Sequence, residues 1–197
     1  TWWDRYKKIN QRFADAVLKI AAPNATVWVH DYQLQLVPQM LRLARPDLKI
    51  GFFLHIPFPA ASLFSQLPWR TQILQGLAGA DLVGFQRETD ASNFLRCLRR
   101  FTGYSTKGDV ATPPADSDMQ NLCRANAHPI SIDTKTIAKL SRDPQIIARA
   151  AQIRHELGNP KTIMLGVDRL DYTKGIRHRL KAYGELLTDQ TLRAGDV

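Results

Sequence analysis

Short apolar segments alternate with longer amphipathic segments along the chain, and this alternation constrains the fold more than any other feature. The apolar runs 27–29, 50–54 and 162–165 are followed by polar residues or proline, as short buried strands are. Between such runs, apolar residues recur at steps of three and four, as in residues 4–20 at Tyr6, Ile9, Phe13, Val17 and Ile20. The pattern predicts an α/β fold with a parallel sheet covered on both faces and right-handed crossovers.

The same pattern predicts where the individual elements lie. In the first part of the chain we predict helix 4–20, strand 26–30, helix 34–45, strand 49–55, helix 62–78, strand 81–85 and helix 88–102. Residues 103–128 are rich in glycine, proline and aspartate, and we predict a loop there. After this loop we predict a helix over 144–157, a strand over 161–167 and a helix that starts near Gly175.

Composition and charge exclude several classes of protein. No apolar run approaches the roughly 20 residues of a membrane span, so we expect no membrane association. Cys97 and Cys123 lie far apart and the histidines are scattered, which predicts free thiols in a reducing cytoplasm and no metal site. The net charge of +9 is dispersed, so it favours small anionic substrates over nucleic acid.

Residues 166–175 form the most informative functional pattern. An apolar run leads into Arg169 and Lys174, and Gly175 follows. Arginine offers a planar fork of donors and lysine a point charge, both of which suit phosphate oxygens, and glycine allows a close backbone approach. The pattern indicates a phosphate-bearing ligand, although cations that simply face water at the end of a strand explain the spacing equally well.

Polar residues also follow the other predicted strands. They are His30, Asp31, His55 and Gln86. Ligands of open α/β sheets bind beyond the carboxyl ends of the strands. A carboxylate such as Asp31 suits recognition of sugar hydroxyls, but Asp31 could instead cap a helix that starts near Tyr32. His55 could bind a sugar or be a core histidine bonded to a carbonyl, and His30 is expected to point into the structure.

Six longer strings in this sequence resemble the trehalose-6-phosphate synthase family of retaining glycosyltransferases. They occur in the family's order and close to its spacing. The strings are residues 3–10, 28–32 (Trp-Val-His-Asp-Tyr), 51–59 (Gly-Phe-Phe-Leu-His-Ile-Pro-Phe-Pro), 81–86 (Asp-Leu-Val-Gly-Phe-Gln), 129–133 (Pro-Ile-Ser-Ile-Asp) and 167–175 (Val-Asp-Arg-Leu-Asp-Tyr-Thr-Lys-Gly).

The resemblance implies a GT-B architecture, which has two Rossmann-like domains with parallel sheets, and only part of it in this chain. Residues 1–133 would be the C-terminal part of the acceptor domain, and residues 134–197 the start of the nucleotide-sugar donor domain. It also implies a strand near 120–127, which the sequence fits poorly. We expect an internal fragment that lacks the family's upstream glycine-rich loop and its downstream acidic motif, and that is inactive alone.

The implied reaction moves glucose from UDP-glucose or GDP-glucose to glucose 6-phosphate and gives α,α-trehalose 6-phosphate with retention. By resemblance Asp31 would contact glucose 6-phosphate, and His55 would face the donor glucose with Ile56 lining the same pocket. Asp31 and His55 are therefore the implied catalytic residues. Arg169 and Lys174 would bind the donor diphosphate and stabilise its charge as it leaves. The resemblance implies no cofactor and no metal.

Three alternatives stay open. A related synthase could use another phosphorylated acceptor, such as glycerol 3-phosphate or a cyclitol phosphate. A catalytically inactive regulatory paralogue is a second alternative; the presence of Asp31, His55, Arg169 and Lys174 argues against it, and the downstream acidic motif would decide. A nucleic-acid binder is the third, and it would show salt-dependent binding. Asp168 and Asp171 are expected to hold the two cations or to cap the next helix. The parent protein is expected to be a cytoplasmic homo-oligomer.

Overall fold

The computed structural model describes residues 1–197, and these divide into two compact units, Thr1–Ser131 and Ile132–Val197. The assignment of the two parts of the chain to acceptor and donor domains stays a prediction. No helix is both long enough and apolar enough to cross a membrane. The predicted cytoplasmic location also stays a prediction.

The first unit holds every strand of the structure. Its helices are α1 (Trp2–Ile20), α2 (Val37–Ala44), α3 (Ala61–Phe64), α4 (Arg70–Ala78) and α5 (Glu88–Phe101), with a 3-10 turn at Tyr32–Leu34. Its strands are β1 (Thr26–His30), β2 (Lys49–Phe53), β3 (Leu82–Phe85), β4 (Ser105–Lys107), β5 (Val110–Thr112) and β6 (Cys123–Ala127). The second unit contains α6 (Thr134–Leu140), α7 (Pro144–Glu156) and α8 (Ile176–Thr188), with a 3-10 turn at Tyr172–Lys174.

The six strands form one mixed sheet in the order β1-β2-β3-β6-β5-β4. The first four are parallel, and β5 and β4 continue the sheet as an antiparallel edge. Because successive parallel strands are added in one direction, right-handed crossovers place their helices on one face. On that face Phe52 and Val83 are buried in a core shared with α1, α2, α4 and α5.

The prediction that both faces of the sheet are covered is wrong for these residues. Trp28 lies on the opposite face and is 67% exposed. It lies over Gly51, where a Cβ would come within 3.6 Å of the indole Cδ1. The monotonic strand order explains this, since helices change face only where the direction of strand addition reverses.

Two predicted elements of the first unit differ from the structure. The helix predicted over 62–78 is two helices, α3 and α4, because Pro68 between them has no N–H for a continuous helix. The predicted loop 103–128 contains the hairpin β4–β5, where Gly108 (φ 59°) occupies the first position of a two-residue turn. It also contains β6, the strand that the resemblance implied near 120–127.

The strand predicted over 161–167 is also wrong. These residues are not paired with another strand, because all six strands of the sheet lie in the first unit and a strand requires a partner for its main-chain groups. The Thr162 N–H donates to the Asp196 carbonyl at 2.8 Å. Helix α6 was not predicted, although Asp133 caps it by accepting from the Thr136 N–H at 3.0 Å.

The buried side chain of Arg42 connects the amino ends of β2 and β3. Arg42 is 8% exposed and donates to three carbonyls, those of Pro46, Leu48 and Gly79. Its Nη2 also lies 2.7 Å from a carboxylate oxygen of Asp81, whose other oxygen accepts from the Ile50 N–H at 2.7 Å. The guanidinium therefore fixes α2 against the starts of β2 and β3.

Candidate functional site

The carboxyl ends of β1 and β2 bring three polar residues together. These strands are parallel, with His30 opposite Phe53. The Asp31 N–H donates to the Phe53 carbonyl at 2.8 Å, so the pairing continues one residue beyond β1. On the other strand, the His55 N–H donates to the Asp31 carboxylate at 3.3 Å. Parallel pairing therefore places Asp31 and His55 side by side.

Asp31 adopts a backbone conformation that non-glycine residues avoid. Its φ is 69° and its ψ is 172°. This region of φ/ψ is essentially restricted to glycine, and a side chain held there costs about 1–3 kcal/mol. Asp31 makes no side-chain capping bond to the 3-10 turn that follows, so the alternative role as a helix cap is wrong. Its carboxylate is directed towards His55 instead.

The two histidines are partners. His30 Nδ1 lies 3.0 Å from His55 Nε2, and the two rings are stacked with centroids 5.3 Å apart. The prediction that His30 points into the structure is wrong, because His30 is exposed at the end of β1, on the uncovered face of the sheet. The alternative of His55 as a core histidine bonded to a carbonyl is also wrong, since His55 is exposed and its ring bonds His30.

The loop after His55 is anchored in the hydrophobic core by Phe58. Phe58 is 2% exposed and packs on Phe64, Phe85 and Phe94. The Phe58 carbonyl accepts from Asn93 at 3.2 Å. Ile56 is 46% exposed. The core therefore anchors the loop at Phe58 while His55 and Ile56 remain open to a ligand.

Gln86 has a structural role that the sequence pattern did not reveal. Its Oε1 accepts from the Ile130 N–H at 2.6 Å, and the Phe85 carbonyl accepts from the His128 N–H at 2.7 Å. These bonds connect the end of β3 to the segment that leaves β6. A polar residue at the end of a strand can thus serve the fold rather than a ligand.

In the second unit Arg169 precedes the 3-10 turn Tyr172–Lys174, and Lys174 is the last residue of that turn. Both side chains are exposed, and Gly175 adopts φ 64°, which favours glycine. The Asp171 carboxylate accepts from the Thr173 N–H at 2.9 Å and its hydroxyl at 2.8 Å. These bonds lower the pKa of Asp171, and the nearby charges of Arg169 and Lys174 add to the effect.

The two aspartates of this segment do not hold the predicted cations through ion pairs. Asp171 caps the 3-10 turn, and Asp168 pairs with Arg179 on α8. The expectation that they would hold Arg169 and Lys174 or cap the next helix is therefore met only by the capping role of Asp171. Arg169 and Lys174 have no carboxylate partner within the chain.

No three His, Cys, Asp or Glu side chains lie close enough to hold a metal ion. The expectation that neither metal nor cofactor is needed stays a prediction. The roles assigned to Asp31, His55, Ile56, Arg169 and Lys174 also stay predictions at this point. Sequence reasoning placed His30 at the end of its strand but gave it the wrong orientation, and it gave no role to the string at 3–10. The polar Asn10 within the apolar periodicity of that string was the signal.

Comparison with known proteins identifies relatives of the whole chain. The model of glycosyltransferase family 20 matches residues 1–197. The trehalose-6-phosphate synthase of Mycobacterium tuberculosis (strain ATCC 25618 / H37Rv) is 55% identical over 200 residues, covering 100% of this chain and 40% of that protein. The synthase of Mycobacterium sp. (strain JLS) is 54% identical over the same length and is covered to 41%. The chain thus spans about 40% of the length of these curated relatives.

Solved structures also match nearly the whole length of the chain. An α,α-trehalose-phosphate synthase (UDP-forming) from Burkholderia xenovorans in complex with glucose-6-phosphate has a TM-score of 0.78 and 31% identity, covering 98% of this chain and 42% of that one. The Escherichia coli trehalose-6-phosphate protein bound with UDP-2-fluoro glucose has a TM-score of 0.75 and 37% identity, covering 94% and 40%. The N-terminal domain of Candida albicans trehalose-6-phosphate phosphatase has a TM-score of 0.77 and 31% identity, covering 94% and 39%.

These neighbours confirm the predicted fold class, an α/β fold that is part of a GT-B architecture. The sheet itself corrects one detail, because its edge strands β4 and β5 are antiparallel. The family resemblance seen in the six strings is likewise confirmed.

Proposed function

Because the chain belongs to glycosyltransferase family 20, we propose that the full-length protein transfers glucose from a nucleoside-diphosphate glucose to glucose 6-phosphate. The product is α,α-trehalose 6-phosphate, formed with retention at the anomeric carbon. The single observation that carries this proposal is the meeting of Asp31 and His55 at the carboxyl ends of β1 and β2, in a chain 55% identical to a trehalose-6-phosphate synthase. Glucose-6-phosphate and a UDP-glucose analogue in structures of two relatives support the choice of substrates.

Asp31 and His55 are the proposed catalytic residues. The Asp31 carboxylate accepts strongly and is charged, so it suits hydroxyl groups of the acceptor sugar. His55 presents an imidazole that can bond the donor glucose, and Ile56 adds apolar surface beside it. The strain at Asp31 supports this assignment, because strained backbone conformations cluster at functional sites.

Arg169 and Lys174 are proposed to bind the diphosphate of the donor. Negative charge grows on the diphosphate as the bond to glucose breaks. Fixed cations directed at that charge stabilise the transition state more than the bound substrate, so they accelerate the reaction without a protein nucleophile. These cations supply the stabilisation that a metal would otherwise give, and we therefore propose that the reaction needs neither metal nor cofactor.

The test is an assay of the full-length protein for release of nucleoside diphosphate, with UDP-glucose and GDP-glucose as donors. Glucose 6-phosphate, glycerol 3-phosphate and a cyclitol phosphate serve as alternative acceptors. We expect transfer to glucose 6-phosphate and an α,α-linked product by NMR. Asp31→Asn should raise KM for glucose 6-phosphate while leaving donor affinity by calorimetry unchanged, since Asp31 is assigned to the acceptor alone.

A non-catalytic paralogue is the second candidate, because the same fold also occurs in the N-terminal domain of a protein named as a phosphatase and not as a synthase. A folded full-length protein that binds glucose 6-phosphate but transfers glucose to no acceptor would support this candidate.

The 197-residue chain alone should show no turnover, because it spans about 40% of the length of its relatives. Turnover by this chain at the rates typical of enzymes, about 1 s⁻¹ or more, would contradict that expectation. A cytoplasmic homo-oligomer is proposed for the parent.

A further inference from the structure

Two side chains of α1 hold the segment that follows Asp31. Asn10 is 0% exposed, and its Nδ2 donates to the Gln33 carbonyl at 3.0 Å while its Oδ1 accepts from the Leu36 N–H at 3.0 Å. The Tyr6 hydroxyl donates to the Tyr32 carbonyl at 2.7 Å and accepts from the Gln35 N–H at 3.1 Å. Main-chain groups of residues 32, 33, 35 and 36 are therefore bonded to α1.

These bonds also explain which face of α1 packs on the unit. The predicted apolar stripe is partly wrong, because Ile9 is 42% and Phe13 51% exposed. Asn10 and Ala14 are buried in their place. A polar side chain in the centre of a packed helix face requires hydrogen-bond partners, and Asn10 finds them in the segment after Asp31 and in the Tyr6 carbonyl at 2.9 Å.

A strained residue persists only where its surroundings determine the conformation. Asp31 has few local restraints after it: the Leu34 N–H donates to the Asp31 carbonyl at 3.1 Å and closes a single turn. The Asp31 N–H bond to the Phe53 carbonyl and the bond from the His55 N–H to its carboxylate restrain the residue on the side of β1 and its side chain. On the other side, the turn after Asp31 is held by the directly adjacent bonds from Tyr6 and Asn10.

We propose that Tyr6 and Asn10 are positioning residues that hold Asp31 in its strained conformation and so set where its carboxylate meets the acceptor sugar. The part of this inference that concerns the acceptor rests on the proposed function. Neither residue is proposed to touch a substrate. Their effect on the reaction passes through the segment 32–36 and reaches the acceptor without reaching the donor diphosphate.

The test uses the full-length protein with Tyr6→Phe and Asn10→Ala. Tyr6→Phe removes two hydrogen bonds to the segment after Asp31 and Asn10→Ala removes two others, so each variant should raise KM for glucose 6-phosphate by about 3- to 10-fold. Turnover number and donor affinity should stay within about twofold, because the donor groups are not displaced. An unchanged KM for the acceptor, or an equal loss of donor affinity, would overturn the proposal.

Two control variants lose similar side-chain hydrogen bonds elsewhere in the first unit. Asn121 donates to the Ala78 and Ala80 carbonyls at 3.1 and 3.2 Å, so Asn121→Ala loses a comparable pair of bonds far along the chain from Asp31. The Thr71 hydroxyl donates to the Phe101 carbonyl at 3.3 Å, so Thr71→Val matches Tyr6→Phe. Both controls should lower stability without changing KM. A similar rise in KM in the controls would mean that general destabilisation, and not positioning, is responsible.

Amide hydrogen exchange gives a readout that does not need activity. Leu34 bonds Asp31 and has no direct bond to Tyr6 or Asn10. Its exchange should become faster in Tyr6→Phe if α1 holds the turn, and unchanged protection would overturn the inference. A parent that transfers glucose to no acceptor would refute the proposed function, and exchange at Leu34 would then decide the positioning role by itself. If Asn10→Ala fails to fold, Tyr6→Phe alone decides both measurements.

Discussion

Replacing Asp31 by glycine should stabilise the first unit relative to replacing it by alanine. Both variants lose the carboxylate and its bond to the His55 N–H. Alanine keeps a Cβ at φ 69° and ψ 172°, where the strain is about 1–3 kcal/mol. Glycine avoids that strain but loses about 0.5–1 kcal/mol of backbone entropy. The glycine variant should therefore be more stable than the alanine variant by about 0.5–2 kcal/mol.

The assay is urea unfolding of the 197-residue chain followed by tryptophan fluorescence. Trp2, Trp3, Trp28 and Trp69 are its only tryptophans and all lie in the first unit, so the signal reports that unit alone. Asp15, in the middle of α1, is the matched control. There Asp15→Gly should be less stable than Asp15→Ala by about 1 kcal/mol, the ordinary order in a helix.

The reversal of sign between the two positions is the decisive result. If Asp31→Ala were as stable as Asp31→Gly, the backbone at Asp31 would not be strained in solution, and the strain could no longer support a functional role. In the full-length protein both variants should lose use of glucose 6-phosphate to a similar extent, because both lack the carboxylate.

Arg169→Ala and Lys174→Ala in the full-length protein should each lower kcat/KM by roughly 10²–10³, less than additively when combined, with little change in melting temperature; early melting with near-parental kcat/KM would show that they are structural. Arg42→Leu should destabilise the first unit by about 3–5 kcal/mol in urea unfolding, because it leaves three carbonyls and a carboxylate without their partner. Arg99→Leu, at an exposed position, is the control. A loss of stability below about 1 kcal/mol in Arg42→Leu would contradict the prediction. The Arg45 guanidinium and the Asn24 N–H both donate to the Asp47 carboxylate, and they hold its pKa well below the ordinary 3.8. A carboxylate whose pKa is lowered by folding stabilises the folded state at pH values above its ordinary pKa. This contribution is lost as the pH falls below that ordinary pKa and through the lowered one. The acid limb of a stability-versus-pH curve should therefore be shallower in Asp47→Asn, and an unchanged limb would refute the effect.

Local patterns in the sequence determined most of the first unit. The strand over 26–30 was predicted with its observed bounds, and the strands starting at 49 and near 82 were predicted to within a few residues. Their periodicity is local and survives any tertiary arrangement. The position of Asp31 and His55 at the carboxyl ends of parallel strands followed from the same pattern.

Two failures of sequence reasoning have a common physical cause. The run 162–165 is as apolar as a strand, but strand structure is a property of a pair, and all six paired strands lie in the first unit. The apolar periodicity of α1 similarly favoured Ile9 and Phe13, whereas packing buries Asn10 and Ala14. A sequence specifies which residues could be buried, and long-range partners decide which of them are.

Only the tertiary structure shows how the candidate site is held. The bond between His30 and His55 joins residues 25 positions apart, and the bond from Asn10 to Leu36 joins residues 26 apart. The combination of φ 69° and ψ 172° at Asp31 is essentially restricted to glycine, so local sequence preferences do not account for it. Sequence alone could therefore name the residues that suit a sugar phosphate. The strain at Asp31, its contact with His55 and its restraint by α1 arise from packing between distant segments, which local patterns do not encode.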